Sequence, residues 1–472
     1  MATVLRPDPT FYASPKLAME APRETHGFVA SLCTDGYRPD ALAVVDLDPA
    51  SARYGQLVHQ VVLPHTGDEL HHFGWNACSS MLCPLSAHPF VERRYLVVPG
   101  IRSSRIYIID TKPEPTQAKI VKVIEPEELM RKTGYSRPHT THCGPEGIYV
   151  SCLGGKGPQG DEGPAGIFVM DCESFEIIGP WEMDHGDQTL AYDFWWHISQ
   201  NVGISSEWGR PSQFEGGLVP EDLLSNKYGH RLHFWDLAQR RLNQTIDLGA
   251  NHQMVLEVRP AHEPTQQHGF VGVVVNTENL NGEIWLWYKE RQTDSEFRLK
   301  KIIDVAPEPA DADQLPDMLK PFAAVPALIT DIDLSLDDRF LYVSCWGAGE
   351  LHQYDVSDPH NPRLSGKVQI GGIARRARHP SGRDFAGGPQ MVEISRDGKR
   401  VYFTNSLYST WDEQFYPGPM PGAQVMADTD PDGGIRLNPE FFVEFPDGYR
   451  AHQVRLEGGD SSTDSFCYTS VH

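Results

Sequence analysis

The sequence predicts an all-β protein, a seven-bladed β-propeller whose last blade is closed by strands from both ends of the chain. Short strand-like segments recur along the 472 residues in similar units, which is typical of a repeat architecture. The 42 glycines and 37 prolines indicate many turns and few long helices. One unit is split between the two ends of the chain, and this split favours a closed ring.

The clearest unit lies at 328–370. It has predicted strands at 328–335, 340–345, 351–355 and 363–370, with a turn at Asp337 and Asp338 between the first two. Alternating apolar residues flanking such turns are typical of antiparallel hairpins. Similar units occupy 72–124, 139–183, 192–249 and 253–305, and another begins at 390. The chain therefore contains six consecutive units.

The two ends of the chain supply a seventh unit. Three strands are predicted near the N-terminus, at 27–33, 41–46 and 56–63, and a single strand at 451–456 follows the sixth unit. Pairing these ends completes a blade, as in propeller rings. A pair of β-sandwiches is the structural alternative, but it does not explain the split unit.

We therefore expect residues 1–472 to form one propeller domain. Its long loops should lie on the faces of the ring and shape a pocket or a contact surface. These loops are predicted at 154–164, 211–228, 306–327 and 371–385.

The composition excludes some functions and indicates where the protein resides. The formal charge of −23 argues against binding nucleic acid, because phosphates require a basic surface. No segment is apolar for long enough to span a membrane, and the N-terminus lacks the apolar core of a secretory signal. The eight cysteines are scattered and contain no Cys-x-x-Cys pair, so we expect reduced thiols and a soluble, cytoplasmic protein. The oligomeric state is left open.

Histidines recur near the start of the first strand in several units. When the units are aligned, His71, His139 and His452 occupy about the same position, and two further histidines lie close by. Imidazoles that converge at one end of a propeller channel would suit copper, iron or zinc. The predicted metal ligands are His71, His72, His139, His142 and His452.

Carboxylates and thiols occur near the same strands. Asp331 and Glu207 are candidate catalytic groups, because a carboxylate beside a histidine cluster can orient an imidazole or move protons. Either could equally stabilise a turn. Cys78 and Cys143 are the thiols nearest to the histidines, and they would serve as soft ligands or as ordinary packing residues.

Several longer motifs coincide with these residues. They include Asp-Glu-Leu-His-His-Phe-Gly-Trp-Asn at 68–76, His-Thr-Thr-His-Cys at 139–143, Tyr-Asp-Phe-Trp at 192–195, Gly-Gly-Pro-Gln-Met at 387–391 and Ala-His-Gln-Val-Arg at 451–455. Through these motifs the sequence resembles the selenium-binding protein family, whose members include methanethiol oxidases. The resemblance runs in order along nearly the whole chain.

The resemblance implies a propeller fold and, for the oxidase members, copper as cofactor. It also implies a small thiol substrate, which is oxidised with oxygen and water to formaldehyde, hydrogen sulfide and hydrogen peroxide. The chain departs from the family at two positions. The cysteine proposed to bind selenium in the family corresponds to Gly55, and the second cysteine of a Cys-Ser-Ser-Cys run is Met81.

Two other functions fit the same residues. One is a non-catalytic propeller that binds selenium compounds, thiols or partner proteins. The other is an iron oxygenase that resembles the carotenoid-cleaving enzymes, which use four histidines. Iron at the site and an apolar tunnel lined by the long loops would favour the oxygenase.

Overall fold

The computed structural model describes residues 6–84, 86–154 and 165–470, and its strands form seven four-stranded antiparallel sheets. In six sheets the four strands follow one another along the chain, from the innermost to the outermost. The innermost strands of neighbouring blades contact each other around the ring. The predicted seven-bladed propeller is therefore confirmed.

The strands are numbered in chain order. The first three are β1 (His26–Cys33), β2 (Ala41–Asp46) and β3 (Leu57–Val62). Blade 1 contains β4 (Gly74–Trp75), β5 (Tyr95–Pro99), β6 (Ile106–Asp110) and β7 (Lys119–Ile124). Blade 2 contains β8 (Pro138–Gly144), β9 (Gly147–Cys152), β10 (Gly166–Met170) and β11 (Ile177–Pro180). Blade 3 contains β12 (Phe194–His197), β13 (Val202–Ser205), β14 (Arg231–Asp236) and β15 (Arg241–Asp247).

Blade 4 contains β16 (His252–Pro260), β17 (His268–Asn276), β18 (Gly282–Tyr288) and β19 (Arg298–Val305). A small hairpin of β20 (Glu308–Pro309) and β21 (Ala324–Val325) follows it. Blade 5 contains β22 (Ile329–Leu334), β23 (Phe340–Cys345), β24 (Glu350–Asp355) and β25 (Arg363–Gln369). Blade 6 contains β26 (Val392–Ile394), β27 (Arg400–Thr404), β28 (Ala423–Thr429) and β29 (Ile435–Glu444), and β30 (Tyr449–Leu456) is the last strand.

The closing blade joins the two ends of the chain. Its strand order is β3-β2-β1-β30, and β1 pairs with β30 in the register Gly27 with Leu456 and Val29 with Val454. Val29 and Leu456 are fully buried, and Val454 nearly so, because the blade packs against its neighbours. The predicted closure is therefore confirmed.

The described residues contain only a few short helices. They are α1 (Pro15–Ala18), α2 (Pro126–Thr133), α3 (Pro211–Phe214), α4 (Pro220–Leu224) and α5 (Ser409–Phe415). Four of the five begin with a proline, whose fixed φ suits the first helical position. Short 3₁₀ turns occur at Ser79–Leu82, Pro115–Gln117, Ile198–Gln200, Ala312–Gln314 and Lys320–Phe322.

Two of the predicted face loops pack with α5 over one face of the ring. We call residues 211–228, 306–327 and 409–415 the cap. The indole of Trp411 in α5 donates a hydrogen bond to the carbonyl of Phe214 (2.9 Å), and the backbone of Leu218 donates to the side-chain carbonyl of Gln414 (2.7 Å). Ile373, in the loop predicted at 371–385, belongs to one apolar cluster with Phe214, Leu315 and Trp411 of the cap. The loop predicted at 154–164 lies outside the described residues except for its first residue.

The segment after β30 covers the opposite end of the central channel. The carboxylate of Asp464 pairs with the buried guanidinium groups of Arg93 and Arg396. Ser461 donates to Asp333 of β22 (2.6 Å), and the indole of Trp195 donates to Ser465 (3.0 Å). These bonds connect the end of the chain to four blades.

A disulfide joins Cys83 and Cys467, so the expectation that all eight cysteines are reduced was wrong for these two. The residues are 384 positions apart, but ring closure brings the last segment back to blade 1 with a Cα–Cα distance of 5.5 Å. Sequence spacing does not reveal such a contact. The other six cysteines are free. In the described part of the chain, no helix is both long and apolar enough to cross a membrane.

Candidate metal centre

Four of the five predicted ligands lie together at one end of the channel. His71 and His72 precede β4, His139 is the second residue of β8, and His452 lies in β30. The ring centroids are 3.6 Å apart for His71 and His452, 4.9 Å for His71 and His139, and 4.1 Å for His72 and His139. We call these four residues the histidine cluster. Possible ligand atoms of His71, His72 and His452 lie within 4.8 Å of one another.

Backbone carbonyls fix the tautomers of two rings. Nε2–H of His71 donates to the carbonyl of Leu407 (2.8 Å), and Nδ1–H of His452 donates to the carbonyl of Ser406 (2.7 Å). A carbonyl only accepts hydrogen bonds, so the lone pairs of the neutral rings lie on Nδ1 of His71, which faces Nε2 of His139, and on Nε2 of His452, which has no partner among the described residues. Such hydrogen bonds on the far nitrogen are typical of metal-binding histidines.

Two ring nitrogens of the histidine cluster are buried without a hydrogen-bond partner among the described residues. Nε2 of His72 and Nε2 of His452 have no hydrogen-bond partner among the described residues. Nδ1 of His71 lies 2.9 Å from Nε2 of His139, so these two ring nitrogens face each other and Nε2–H of His139 can donate to Nδ1 of His71. A buried polar atom without a partner is costly. A metal ion bound between the rings would satisfy these nitrogens, and the donor set therefore fits a transition metal.

Burial keeps the four imidazoles neutral. Loss of hydration lowers the pKa of His71 to about 3 and lowers the pKa of the other three rings well below the usual value. Neighbouring imidazoles lower these three pKa values further. A neutral imidazole is the form that binds metal, so the cluster needs no deprotonation at neutral pH.

Aromatic side chains enclose the cluster toward the cap. Tyr192 lies 4.5 Å from His139, and Tyr408 lies 6.0 Å from His71, between ring centroids. Trp208 packs behind both tyrosines, at 5.6 Å from Tyr192 and 6.2 Å from Tyr408. Burial and the nearby Glu257 carboxylate raise the pKa of Tyr192, so its phenol stays protonated. The enclosure excludes water and strengthens electrostatic interactions inside.

His142 lies apart from the histidine cluster, although it shares β8 with His139. Its ring packs against Trp195 at 4.5 Å, and Nε2 is 4.0 Å from Oδ1 of Asp193. Three residues along a strand correspond to a rise of roughly 10 Å, so His142 lies deeper in the channel. Ligation by His142 stays a prediction.

The two predicted catalytic carboxylates have other partners. Asp331 lies in the channel on β22, where it accepts from the backbone of Val392 (2.6 Å) and pairs with Arg259 (3.3 Å). Glu207 pairs with His233 and Arg231, both at 2.9 Å, and both partners belong to β14 of the same blade. A catalytic role for Asp331 or Glu207 stays a prediction.

Sequence reasoning missed the carboxylate that lies beside the histidines. Oε1 of Glu257 is 3.5 Å from Nε2 of His72, and both groups are buried. Arg259, two residues later on β16, pairs with Glu257 and with Asp193 at 3.0 and 3.1 Å. A signal was present, because Glu257 and Arg259 alternate with apolar residues in a strand that is buried along almost its whole length.

The two candidate thiols, Cys78 and Cys143, contact each other. The thiol of Cys78 donates to the carbonyl of Cys143 (3.1 Å) and lies 3.0 Å from the hydroxyl of Ser80. Burial raises the pKa of Cys143 well above its usual value, so this thiol stays protonated. Of the two predicted roles of Cys78 and Cys143, these contacts favour packing.

An apolar cavity of about 300 Å³ lies between the cap and blade 4. Its walls come from α4, from the loop around Met318 and from α5 on the cap side, and from β16 and β17 on the blade side. Residues that line the cavity include Leu223, Leu224, Thr277, Met318, Phe322 and Trp411.

The chain is similar to proteins of one family along almost its whole length. The family model of the 56 kDa selenium-binding proteins matches residues 5–467. A methanethiol oxidase of Xenopus laevis is 40% identical and is aligned over 96% of this chain and 97% of its own length. Selenium-binding protein 3 of Arabidopsis thaliana is 39% identical, with 96% of each chain aligned.

A solved structure shares the fold. The X-ray structure of a hypothetical selenium-binding protein from Sulfolobus tokodaii has a TM-score of 0.94 and is 55% identical in sequence. The comparison covers 98% of this chain and all of that one.

Proposed function

The chain belongs to the 56 kDa selenium-binding protein family, and we propose that it is an enzyme that oxidises small thiols, with methanethiol as substrate. The proposed reaction consumes oxygen and water and gives formaldehyde, hydrogen sulfide and hydrogen peroxide. We propose copper as the cofactor. Its relatives named methanethiol oxidase, at about 40% identity, support thiol oxidation.

The observation that carries the proposal is the histidine cluster. Four neutral imidazoles from three different blades meet in a buried site, and Nε2 of His72 and Nε2 of His452 have no hydrogen-bond partner among the described residues. His71, His72, His139 and His452 would hold the metal. Bound copper would supply redox chemistry between the thiol and oxygen, which no side chain of the cluster can provide alone.

The other residues hold and enclose the site. The carbonyls of Leu407 and Ser406 orient His71 and His452 through the ring N–H groups. The hydroxyl of Thr140 lies 3.3 Å from Nδ1 of His72, where it can orient this ring, and the carboxylate of Glu257 faces Nε2 of the same ring. Tyr192 and Tyr408 keep water from the rings on the cap side, which favours the entry of an uncharged thiol over that of ions.

Metal content and thiol consumption test this proposal together. Purified protein is analysed for metals, loaded with copper, and assayed for loss of methanethiol from the headspace. His452→Ala should reduce copper binding and thiol oxidation together, because it removes one of four ligands. His65→Ala is the matched control, since the side chain of His65 is 41% exposed and lies at the surface. Copper binding without thiol consumption by the wild-type protein would contradict the proposal.

An iron oxygenase is the second candidate function. The apolar cavity beside the cap favours it. Four histidines would also suit an iron site. Metal analysis separates the two candidates, together with assays in which either copper or iron is added back to metal-free protein. Activity on thiols that returns only with copper would exclude the iron oxygenase.

Selenium binding through the family cysteine has little support in this chain. Gly55 occupies that position, in the turn between β2 and β3, with φ of +69°. This left-handed conformation favours glycine over residues with a Cβ atom. A non-catalytic carrier of selenium or thiols would retain its function when the histidine cluster is replaced, and the His452→Ala variant therefore tests this alternative too.

We also propose a cytoplasmic location. Six free cysteines support it, whereas the Cys83–Cys467 disulfide is more common in oxidising compartments. Thiol trapping immediately after cell lysis would show whether this disulfide exists where the protein resides.

A further inference from the structure

We propose that the apolar cavity beside the cap binds a small uncharged apolar ligand, and that this ligand raises the metal affinity of the histidine cluster through α5. The ligand is an effector and not the substrate. Its effect on metal affinity rests on the proposed function, whereas its binding does not depend on that function.

The cavity has room for an organic molecule and offers almost no polar surface. Its volume is about 300 Å³, whereas an apolar cavity of about 150 Å³ suffices for benzene. In the described part of the chain, Thr277 and Trp411 are the only lining residues with a polar side-chain group. The indole N–H of Trp411 already donates to the carbonyl of Phe214 (2.9 Å). Water inside would find few partners, so an apolar ligand of roughly ten heavy atoms is favoured.

The mouth of the cavity is also apolar. Leu224 is 62% exposed and Phe322 is 41% exposed, and both line the cavity. Exposed apolar residues around an opening are typical of a binding site. None of the described residues that line the cavity carries a charge, so a charged ligand would lose its hydration without gaining a partner. The ligand is therefore uncharged.

Aromatic rings separate the cavity from the histidine cluster. Trp411 of α5 lines the cavity, and its ring centroid is 5.5 Å from that of Trp208. Trp208 in turn lies 5.6 Å from Tyr192 and 6.2 Å from Tyr408, the two tyrosines beside the histidines. A ligand in the cavity therefore contacts the cap and not the metal.

The helix α5 contributes to both sites. Trp411 and Phe415 line the cavity from this helix. The carbonyls that orient two rings of the histidine cluster belong to Ser406 and Leu407, shortly before the first residue of the helix. One short segment of chain thus connects the wall of the cavity to the groups that hold the rings.

Hydrogen bonds fasten this segment to the helix. The buried carboxylate of Asp412 in α5 accepts from the hydroxyl of Ser406 (2.6 Å) and from the backbone N–H of Leu407 (2.9 Å). Glu69, two residues before the first histidine of the cluster, accepts from the backbone (2.7 Å) and the hydroxyl (2.6 Å) of Ser409. A displacement of α5 would therefore also displace the carbonyls that orient the rings.

A ligand in the cavity should restrain α5. Side chains that line an empty cavity lack contacts on one side, and a ligand would supply contacts to α4, α5 and blade 4 at once. These contacts stabilise the position of α5 in which the two carbonyls orient the rings, so the metal affinity rises. By thermodynamic linkage, bound metal must raise the affinity for the ligand by the same factor.

Calorimetry with alkanols tests binding to the cavity. The affinity of the purified protein should rise about fourfold with each methylene from 1-butanol to 1-hexanol, as expected for apolar burial. 1,6-Hexanediol is the control ligand and should bind about tenfold more weakly than 1-hexanol, because its second hydroxyl would be buried without a partner. Affinity that does not depend on chain length would overturn the inference.

Two substitutions fill the cavity from different sides. Met318→Trp and Leu223→Trp should each weaken 1-hexanol binding at least tenfold, and Leu223→Trp serves as the second variant if Met318→Trp fails to fold. Ile178→Trp is the matched control, since it adds the same ring at a 65% exposed position on blade 2 and should leave 1-hexanol binding unchanged. 1-Hexanol binding that survives both filling substitutions would overturn the cavity site.

Copper affinity, measured by chelator competition, tests the effector role. Saturating 1-hexanol should raise the copper affinity of the wild type about fivefold or more, a typical size for coupling between two sites. The same concentration of 1-hexanol should have no effect on Met318→Trp and should act fully on Ile178→Trp. Copper affinity of the wild type that 1-hexanol leaves unchanged would overturn the effector role.

The two measurements separate failure of this inference from failure of the proposed function. A protein that binds copper and oxidises methanethiol but binds no alkanol would refute the cavity site and leave the proposed function intact. A protein that binds alkanols with the expected dependence on chain length but binds no copper would refute the proposed function. That second result would also overturn the effector role, while confirming the ligand site.

Discussion

Acid should destabilise the metal-free protein through the histidine cluster, and His71 offers the clearest test. Burial lowers its pKa in the folded chain to about 3, whereas an unfolded histidine has a pKa near 6.5. The unfolded state therefore binds a proton as the pH falls below 6.5, and the folded state does not. The stability that depends on neutral His71 is fully present above pH 6.5 and is lost progressively toward pH 3.

The magnitude follows from the two pKa values. At pH 5 the unfolded ring is protonated and the folded ring is neutral, so the cost is 1.5 pH units at about 1.36 kcal/mol per unit. This amounts to about 2 kcal/mol at pH 5 for this one histidine. Replacing it by glutamine removes the titrating group and keeps a side-chain amide that can donate to the carbonyl of Leu407.

Urea unfolding of chelator-treated protein at pH 7 and pH 5 measures the effect. Between pH 7 and pH 5, the unfolding free energy of His71→Gln should fall by about 2 kcal/mol less than that of the wild type. This difference does not depend on how stable the variant is at pH 7. His65→Gln, at the surface, should lose as much as the wild type. An equal loss in His71→Gln and the wild type would refute the reasoning that burial keeps this ring neutral.

Three further predictions concern the framework around the site. In urea titrations, Arg259→Met should lower the unfolding free energy by about 3–5 kcal/mol, because it leaves buried carboxylates unpaired. Arg363→Met, at a 79% exposed position, is the control and should change the unfolding free energy by less than about 0.5 kcal/mol. Cys83→Ser should cost about 2–5 kcal/mol, since it opens a loop that spans most of the chain, and dithiothreitol should destabilise the wild type but not the variant. Gly74→Ala should weaken copper binding in a chelator competition, because the added Cβ would lie 2.3 Å from the carbonyl of Thr141 and push the strands of blades 1 and 2 apart; unchanged copper affinity would contradict this account.

The sequence predicted the ring and the core of the site for a clear physical reason. Repeating strands with turn residues define blades locally, and a split unit requires closure by the two ends. Once the units are aligned, equivalent positions on the innermost strands must lie at the same level of the channel. The proximity of His71, His139 and His452 follows from that alignment.

The remaining features depend on contacts between blades, which repeat spacing does not encode. His142 is only three residues from His139, yet this separation moves it along the channel toward Asp193. Glu257 was missed because the histidine it approaches belongs to another blade. The disulfide was missed because Cys467 lies in the segment that crosses the far end of the channel, beyond the last repeat.

The position of His452 on β30 makes the order of synthesis relevant to the proposed metal site. A nascent chain that ends before residue 448 already carries His71, His72 and His139, but its closing blade lacks β30 and its ring is open. The four histidines can meet only after the last strand has left the ribosome and docked on β1. Loading of the proposed site with metal would therefore be a late event in biogenesis, and a truncated chain would differ from a finished one in its metal affinity as well as in its stability.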